Sequence, residues 1–575
     1  MPRNRNHTWI AALMAASLLC LWAYSAYLHA FDDDEFQHAR TAWLMQTGHR
    51  PYADFFEHHL ILYHGLIAPF VWLPNEESII FALRTLSLVA GLAALLLLYQ
   101  TGRHLGASPL AAATGVWLLG MAPMFVLKMT EARPEAPAIL CFAAGLRWVF
   151  PPRRDSAATT GRHNPRSSAE TGNLGADKSV QTVESGESEA IAQPSTGASF
   201  PLQALGVGLL AALAALLSQK YIFPAGGLLL AVLILHGRRH ALTAGLSFGL
   251  AMAAYVGWML MLGIGRPAFD LVVVMNSQWV YRFSPLGYTV ELFITAGVLT
   301  AAGAAGILYA CRRMPPRTAA TLALLLVAST LLIVIIPVPY RQSFLPLMMI
   351  LAIGVMPIMT NLLELTGRLP PARSQIAVLL ALPILAAGSL SALPEHLAAD
   401  NRQDRKTMAA VADFAPSGSI FDGRGLLFKR PPINYYPIMH AEILKMLDPD
   451  DYAQSVVAGL LEAGLPPVIM DYRTAMMPAD IAVFVEEHYL PTDIDDLYGA
   501  GTRFSRLTPG DDSVLELAVP GYWQASWGGG SIAINSRPLA PDQSVYLTAG
   551  EHRLAADGLV WNFSLQKNYR REAGR

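Results

Sequence analysis

Long apolar segments constrain this chain more than any other feature. A helix needs about 20 mainly apolar residues to cross the hydrocarbon of a bilayer. Segments that approach this length lie near residues 9–30, 78–99, 108–127, 134–150, 201–218, 221–236, 241–262, 288–311, 318–337, 343–363 and 374–393. The composition agrees, since 53% of the 575 residues are hydrophobic and only 15% are charged. We therefore predict a polytopic α-helical membrane protein with about eleven transmembrane helices.

Positive charges set the predicted orientation of these helices. Cytoplasmic loops are enriched in Lys and Arg, and every second connection of this chain is basic. The basic side carries Arg3, Arg5, Arg103, Arg147, Arg153, Arg154, Arg238, Arg239, Arg312, Arg313, Arg317, Arg368 and Arg373. The first apolar segment is long enough to span and lacks a convincing cleavage site, so we interpret it as a retained helix rather than a signal peptide. This orientation puts the N-terminus in the cytoplasm and the C-terminal part outside.

Composition divides the chain into domains. Residues 1–395 form the predicted transmembrane domain, and its first outer loop, 31–77, contains helical patterns that indicate a folded platform. Residues 151–200 are rich in Ser, Thr, Gly, Ala and Glu, which predicts a disordered cytoplasmic insertion. Helix and strand patterns predict an outward-facing α/β region at 396–508, and short β runs predict a small β-rich module at 509–575. This module either binds sugar or caps the protein.

The charge balance and the cysteines exclude several classes of protein. The chain has 41 basic and 43 acidic residues, a formal charge of -2, which gives no indication of a nucleic-acid partner. Cys20, Cys141 and Cys311 all lie in or beside apolar runs. The sequence therefore offers neither a disulfide framework nor a paired-cysteine metal site.

The stretch FDDDEFQHAR at 31–40 places four adjacent carboxylates where the first predicted span ends. Such neighbours raise one another's pKa unless a cation or a hydrogen-bond donor compensates. A carboxylate held by a short helix at the membrane surface is suited to act as a general base. Alternatively, the acids cap the helix that follows, where the macrodipole favours negative charge. We assign capping or solvation to Asp32 and Asp33, and at this point both interpretations stay open for Asp34 and Glu35.

Five cationic residues stand at span ends on the same predicted side, against the positive-inside bias: Lys128, Arg133, Lys220, Arg282 and Arg341. Lys220 lies in a three-residue polar break between two apolar segments, which is too short for a solvated loop. Arg341 follows two prolines at the end of a strongly aliphatic segment. We expect both to be functional rather than membrane anchors. Arg133 either contributes to the same site or forms a local ion pair with Glu135.

Several short motifs occur in order on the predicted outer side. They are Asp34-Glu35 followed by GHRPYADFFEHH at 48–59, Arg133-Pro134-Glu135, SQKY at 218–221, YRQSFLPL at 340–347 and DGRGLLFKRPPINYY at 422–436. Together they resemble the C superfamily of glycosyltransferases (GT-C), which use lipid-linked sugars. This superfamily includes the protein O-mannosyltransferases and the bacterial aminoarabinose transferases. The resemblance covers residues 1 to about 440 and implies a GT-C-like fold in a bacterial inner membrane.

The resemblance also implies a reaction. The donor would be a sugar on a polyprenyl phosphate, with Asp34 as the base and Glu35 assisting or orienting it. Lys220, Arg341 and Arg133 would bind the donor phosphate, where fixed cations stabilise the departing negative charge. The expected reaction is transfer of a hexose or pentose, with inversion, to a glycolipid, glycan or protein acceptor on the periplasmic face.

One departure from the family pattern affects the phosphate site. Many members have Lys-Pro-Pro where this chain has Glu57-His58-His59, so the lysine contact to phosphate cannot be carried over. The histidines are candidates for substrate contacts as protonated groups or hydrogen-bond donors. Alternatively, Glu57, His58 and His59 hold a divalent cation, since carboxylates and imidazoles suit such ions. Glu135 is a further candidate for substrate or metal.

Other functions remain as alternatives at this point. A polytopic transporter needs ionisable groups or broken helices near the bilayer midplane, whereas the polar groups here gather at the ends of the apolar segments. A non-catalytic cell-envelope assembly protein would tolerate replacement of Asp34. The sequence has no Gly-rich phosphate loop and no Rossmann fingerprint, which argues against a nucleotide-sugar donor.

Overall fold

The computed structural model describes residues 8–150, 200–279, 284–366, 368, 370–438, 441–510 and 513–573. Residues 151–199 of the predicted insertion lie outside these described residues. The α-helices are α1 Thr8–Tyr27, α2 Asp33–Gln46, α3 Leu62–Ile67, α4 Glu76–His104, α5 Pro109–Met121, α6 Pro123–Thr130, α7 Glu135–Val149, α8 Phe200–Leu217, α9 Ile222–His236, α10 Arg238–Met261, α11 Gly265–Phe269, α12 Leu286–Arg313, α13 Pro316–Ile335, α14 Leu345–Thr366, α15 Pro371–Leu385, α16 Ala387–Ala398, α17 Arg402–Phe414, α18 Ala441–Leu444, α19 Pro449–Glu462, α20 Ala479–His488 and α21 Tyr569–Ala573.

All eleven predicted apolar segments contain helix, but fewer of them qualify as straight spans. Among the described residues, 7 helices are long and apolar enough to cross a membrane, or up to 9 if each bent pair counts as one span. The bent pairs are α5 with α6, which meet at 74°, and α15 with α16, which meet at 56°. The other two segments form α7, with 15 residues, and α8, whose apolar part is also short. A helix of 15 residues is about 22 Å long, less than the hydrocarbon thickness of roughly 30 Å.

The first loop, residues 28–75, folds against the helices instead of extending into solvent. Helix α2 begins with the acidic stretch, and most of its residues are buried, including Phe36 and Leu44. It ends before Gly48, whose φ of +95° favours glycine. A second helical region follows as α3 and the 3₁₀ turn Ala68–Trp72. The predicted platform in this loop is therefore built from two short helical regions.

Close packing of α12 and α14 brings together parts of the chain that frame the site described below. Three glycines, Gly303, Gly306 and Gly354, lie where the two backbones meet. A Cβ added at Gly303 would lie 2.6 Å from the Leu351 carbonyl oxygen, and one added at Gly306 would overlap the Gly354 carbonyl oxygen. Small residues allow such approach because the backbones themselves make the contact.

The C-terminal part forms a domain with two sheets. The strands are β1 Phe421–Asp422, β2 Val468–Ile469, β3 Tyr489–Pro491, β4 Leu497–Leu507, β5 Ser513–Leu517, β6 Gly521–Gly528, β7 Ser531–Ile534, β8 Arg537–Leu539, β9 Ser544–Leu547, β10 Gly550–Asp557 and β11 Val560–Lys567. The larger sheet has the order β1-β2-β4-β11-β6-β9, with β3 also paired to β4, and the smaller has the order β5-β10-β7-β8. Strands β1 and β2 pair in parallel, and the other strand pairs among the described residues are antiparallel.

The larger sheet crosses the predicted boundary between residues 508 and 509. Strand β4 lies before that boundary and pairs with β11, which lies after it, along Gly501 to Leu507. One buried cluster also joins Val456 of α19 to Phe563 of β11. The α/β and β-rich regions therefore share one core. This pairing could not be predicted from the sequence, because a turn between two β runs has the same residue pattern within a domain as between domains.

The backbone contact at Gly306 predicts that an added methyl group lowers the stability of the protein there, but not at Gly249, where the methyl group has space. Replacing Gly306 by Ala forces α12 and α14 apart, because backbone cannot move aside as a flexible side chain can, and overpacking costs about 1–3 kcal/mol. We expect a Tm in detergent several degrees below that of the wild type. The matched control is Gly249→Ala in α10, where an added Cβ meets nothing within 4 Å and helix propensity favours Ala. An equal loss of Tm in both variants would contradict this packing.

Candidate active site

A cavity of about 660 Å³ lies between the C-terminal domain and one set of helix connections, in which every second connection of the bundle takes part. Its lining includes the acidic start of α2, the connection before α7, the turn between α8 and α9, and the segment between α13 and α14. Among the predicted site residues, the structure brings six to this cavity: Asp34, His58, His59, Arg133, Lys220 and Arg341. Glu35, Glu57 and Glu135 lie behind its wall, buried to 0%, 0% and 2% exposure.

The acidic stretch begins α2 with a reciprocal cap. The Asp32 carboxylate accepts from the backbone N–H of Asp34 at 3.0 Å, and the Glu35 carboxylate accepts from the Asp32 N–H at 2.8 Å. This arrangement is a capping box, which satisfies N–H groups that have no partner within the helix. Capping was predicted for Asp32 and Asp33. The structure gives it to Asp32 and Glu35.

Glu35 binds a buried arginine that the sequence analysis did not include. Its Oε1 atom accepts from Arg84 Nε and from the Ala132 N–H, both at 2.7 Å, and Oε2 accepts a second Arg84 bond. Arg84 also donates to the carbonyls of His29 at 2.9 Å and Ala30 at 2.8 Å. Glu35 therefore joins α4 to the end of α1 and to the connection before α7. Its carboxylate faces these partners rather than the cavity.

Asp32 faces two cations at the cavity wall. Lys128 Nζ lies 2.9 Å from one carboxylate oxygen, and Arg133 Nη1 lies 3.0 Å from the other. Burial alone would raise the pKa of Asp32, but the charges of Lys128 and Arg133 lower it overall. Asp32 is therefore an anion at neutral pH.

Arg133 is the central cation of the cavity. Its Nη1 atom lies 2.6 Å from Asp34 Oδ2, and its Nε atom lies 3.3 Å from Glu135 Oε2. The predicted local pair with Glu135 thus coexists with the contact to Asp34. Burial alone would lower the pKa of Arg133, but Asp34 and the other carboxylates raise it well above its usual value.

Lys220 and Arg341 approach the same cavity from two other connections. The Gln342 side-chain amide, oriented so that its oxygen faces the cations, accepts from Lys220 Nζ and Arg133 Nη2, both at 3.1 Å. One neutral group therefore bridges two cations. Arg341 binds Glu291 of α12 at 2.9 Å and lies over the Tyr288 ring at 5.7 Å. Because Arg133 contacts both Asp34 and this amide, the acidic and cationic sides of the cavity are adjacent.

Glu57 forms the centre of a cluster of histidines beside the cavity. Its carboxylate accepts from the N–H groups of His58 and His59 at 2.9 Å, from the His59 ring at 2.8 Å and from Thr41 at 2.6 Å. Burial alone would raise the pKa of Glu57, but the His59 bond and the nearby rings bring it well below its usual range. Burial also lowers the pKa of His64 to about 4, so this ring is neutral at pH 7.

The same cluster has the donor set of a metal site. One ligand atom each from Glu57, His58 and His59 can be chosen so that all three lie within 4.8 Å of one another. A carboxylate with two imidazoles suits Zn²⁺ and related ions, although such an ion would replace the hydrogen bond between His59 and Glu57. Metal analysis of purified protein, with His59→Ala for comparison, distinguishes a bound cation from a hydrogen-bonded cluster.

Sequence analysis missed the cavity residues of the C-terminal domain, Arg424, Tyr472 and Arg473. Arg424 Nε lies 2.7 Å from Asp33 Oδ1, Arg473 Nη2 lies 3.1 Å from Asp33 Oδ2, and the Tyr472 hydroxyl donates to the same aspartate. A signal was present, since Asp-x-Arg occurs both at 422–424 and at 471–473. It could not be interpreted without the pairing of β1 and β2.

The buried pair of Glu35 and Arg84 predicts a stability effect. Glu35→Gln leaves Arg84 buried without its counter-charge, and breaking such pairs costs about 3–5 kcal/mol. We expect little monodisperse protein, or a strongly lowered Tm. Glu77→Gln is the matched control, because its 2.7 Å pair with Arg405 is partly exposed on both sides and such pairs contribute at most about 1 kcal/mol. A Glu35→Gln protein as stable as the control would contradict this assignment.

Comparisons with known proteins give structural relatives only. No protein-family model and no curated protein sequence matches the chain. The structure of ArnT from Cupriavidus metallidurans bound to undecaprenyl phosphate matches with a TM-score of 0.54 at 14% identity, over 86% of this chain and 98% of ArnT. Its apo form matches with a TM-score of 0.55 at 14% identity, over 85% of this chain and 97% of ArnT. The apo oligosaccharyltransferase of Archaeoglobus fulgidus gives 0.46 at 13% identity, over 85% and 73%.

The two ArnT matches confirm the expected fold. The ArnT likeness extends through the helical bundle into the C-terminal domain, since 86% of this chain is covered, whereas an identity of 14% bears on fold alone. The chain is a multi-pass membrane protein with the fold of ArnT.

Proposed function

We propose that this protein transfers a sugar from a polyprenyl-phosphate donor to an acceptor, with inversion at the anomeric carbon. The observation that carries this proposal is the meeting of Asp34 with Arg133, Lys220 and Arg341 in one cavity at the ends of the apolar helices. A lipid-linked substrate presents its phosphate and sugar at that level, just beyond the hydrocarbon. ArnT, which has the same fold, was crystallised with undecaprenyl phosphate.

The cationic side of the cavity suits the donor phosphate. Lys220 and Arg133 already share a neutral amide oxygen at 3.1 Å, and a phosphate oxygen can take its place. Arg341 lines the same cavity with its side chain 43% exposed. Fixed cations stabilise the negative charge that develops on a departing phosphate without reorganising during the reaction. These three residues therefore bind the leaving group in the proposed reaction.

The acidic side suits the acceptor. Asp34 takes the proton of the acceptor hydroxyl or amine, whose oxygen or nitrogen forms the new bond to the anomeric carbon. The bond from that carbon to the phosphate oxygen breaks, and its electron pair leaves with the polyprenyl phosphate. Glu35 acts only as a positioning residue, since its carboxylate is held by Arg84 and Ala132. The contact between Arg133 and Asp34 keeps the base beside the phosphate site.

The proposed location is the inner membrane of a bacterium, with the cavity on the periplasmic side. The alternation of arginine-rich connections supports this orientation. The proposed acceptor is a glycolipid, a glycan or a protein, and the transferred sugar is a hexose or a pentose.

Removal of the proposed base tests the reaction. Membranes that contain the wild type or Asp34→Asn receive a panel of radiolabelled polyprenyl-phosphate sugars, and label is measured in lipid, glycan and protein fractions. We expect Asp34→Asn to lose transfer by about a hundredfold or more, because general-base catalysis contributes at least that factor.

Asp54→Asn is the control for this experiment. Asp54 lies in the same loop, but it pairs with the exposed Arg50 at 3.1 Å and is not part of the cavity lining. It should keep wild-type transfer. Absence of transfer in the wild type together with a change in solute uptake would favour a transporter instead, and equal transfer by Asp34→Asn would remove the base from the mechanism.

The phosphate site predicts a second kinetic effect. Arg341→Gln removes a cation from the leaving group, so we expect kcat/KM for the donor to fall about tenfold or more. Arg266→Gln removes a cation that is 83% exposed and bound to Asp270 at 2.8 Å, outside the cavity lining. Donor titrations of both variants check the prediction, and losses of the same size would contradict it.

A further inference from the structure

The C-terminal domain contributes one wall of the cavity through two turns of the same sequence pattern. Asp422-Gly423-Arg424 begins at the end of β1, and Asp471-Tyr472-Arg473 follows β2. The two strands are parallel neighbours, with Phe421 beside Val468. Since parallel strands end at the same edge of a sheet, both turns project from one edge, where open α/β sheets commonly form sites.

Each turn is fixed by its own aspartate. Asp422 accepts from the backbone N–H of Arg424 at 3.1 Å, and Asp471 accepts from that of Arg473 at 2.8 Å. The second oxygen of Asp471 also accepts from the Arg424 N–H at 3.0 Å, which joins the two turns. The arginine side chains therefore start from a rigid backbone, and less conformational entropy is lost when they form contacts.

Both guanidinium groups bind Asp33 from the same side. Arg424 holds one carboxylate oxygen at 2.7 Å and Arg473 holds the other at 3.1 Å. Arg424 is itself fixed by two bonds to Asp404 of α17, at 2.7 and 3.1 Å. The Asp33 side chain is only 11% exposed, so these partners replace most of its contact with water. Among the described residues, its ion-pair partners both belong to the C-terminal domain.

Asp33 is the first residue of α2 and the neighbour of Asp34. Its position is thus coupled to that of the proposed base through a single peptide bond. Asp32 and Asp34 are held from the bundle by Arg133, whereas Asp33 is held from the opposite wall. Without Arg424 and Arg473, the adjacent carboxylates at 32–34 would be neutralised only by cations of the helical bundle.

We propose that Arg424 and Arg473 are positioning residues that act through Asp33 to hold the first turn of α2, and with it Asp34, in its working place. This inference rests on the function proposed above. It makes the C-terminal domain a part of the active site rather than a cap over it. Both guanidinium groups bind protein carboxylates, those of Asp33 and Asp404. The two arginines therefore act on the reaction through these carboxylates.

The variants Arg424→Ala, Arg473→Ala and Arg473→Lys test this proposal in the full-length protein. We expect kcat to fall about tenfold or more in both Ala variants, because misplaced catalytic groups lose rate steeply, while the donor KM stays within about twofold. Arg473→Lys should recover part of the loss, since it restores the charge. Asp33→Asn combined with Arg473→Ala should be no worse than the more severe single variant, as expected for partners in one interaction.

Arg405→Ala separates positioning from simple docking of the domain. Arg405 also joins the C-terminal domain to the bundle, through its 2.7 Å pair with Glu77, but it does not line the cavity. This control should keep wild-type kcat. A loss in Arg405→Ala equal to that in Arg473→Ala, or wild-type kcat in the Arg424 and Arg473 variants, would overturn the proposal.

A second measurement does not depend on activity. Hydrogen–deuterium exchange of peptides that cover residues 31–40 should be faster in Arg424→Ala and Arg473→Ala than in the wild type or Arg405→Ala, since the first turn of α2 loses its anchor. Unchanged exchange would refute the positioning role even if transfer is observed. Absence of transfer in the wild type, together with faster exchange in these variants, would refute the proposed function and leave the structural coupling standing.

Discussion

The architecture depends on the compensation of four consecutive acids by cations from distant parts of the chain. Asp32 is held by Lys128 and Arg133, Asp33 by the C-terminal domain, Asp34 by Arg133 and Glu35 by Arg84. Uncompensated, these neighbouring charges would repel one another and could not be buried. The helical bundle and the C-terminal sheet are therefore tied to each other through the first turn of one short helix.

The neighbouring acids Asp34 and Glu35 have different environments, and these suit them to different roles. Glu35 is fully buried and holds elements together, whereas Asp34 keeps its side chain 31% exposed at the cavity. The difference follows from helix geometry, because successive residues at the start of a helix point in directions about 100° apart. Adjacent, chemically similar carboxylates thus face a buried arginine, a cavity and a neighbouring domain.

The helices and several cavity residues could be predicted from the sequence. The residues that were missed were missed for physical reasons. Apolar length located the helices, and the cations on the less basic side gave Lys220 and Arg341 as candidates, which the structure brings to one cavity; both signals are local. The partner of Glu35 was missed although Arg84 is a charge within an apolar helix, since which acid it meets depends on tertiary packing. Arg424 and Arg473 depend on a two-residue strand pairing, and strands that short have no periodicity to detect.

Arg84 has a consequence for how the chain enters the bilayer. It lies eight residues after the start of α4, about 12 Å along the helix axis, and a lone arginine at depth costs about 2.5–3.5 kcal/mol on insertion. Glu35 and the carbonyls at the end of α1 neutralise and solvate it in the finished fold. We therefore expect α4 to be more stable in lipid once α1 and the first loop have folded against it, because only then does Arg84 have these partners.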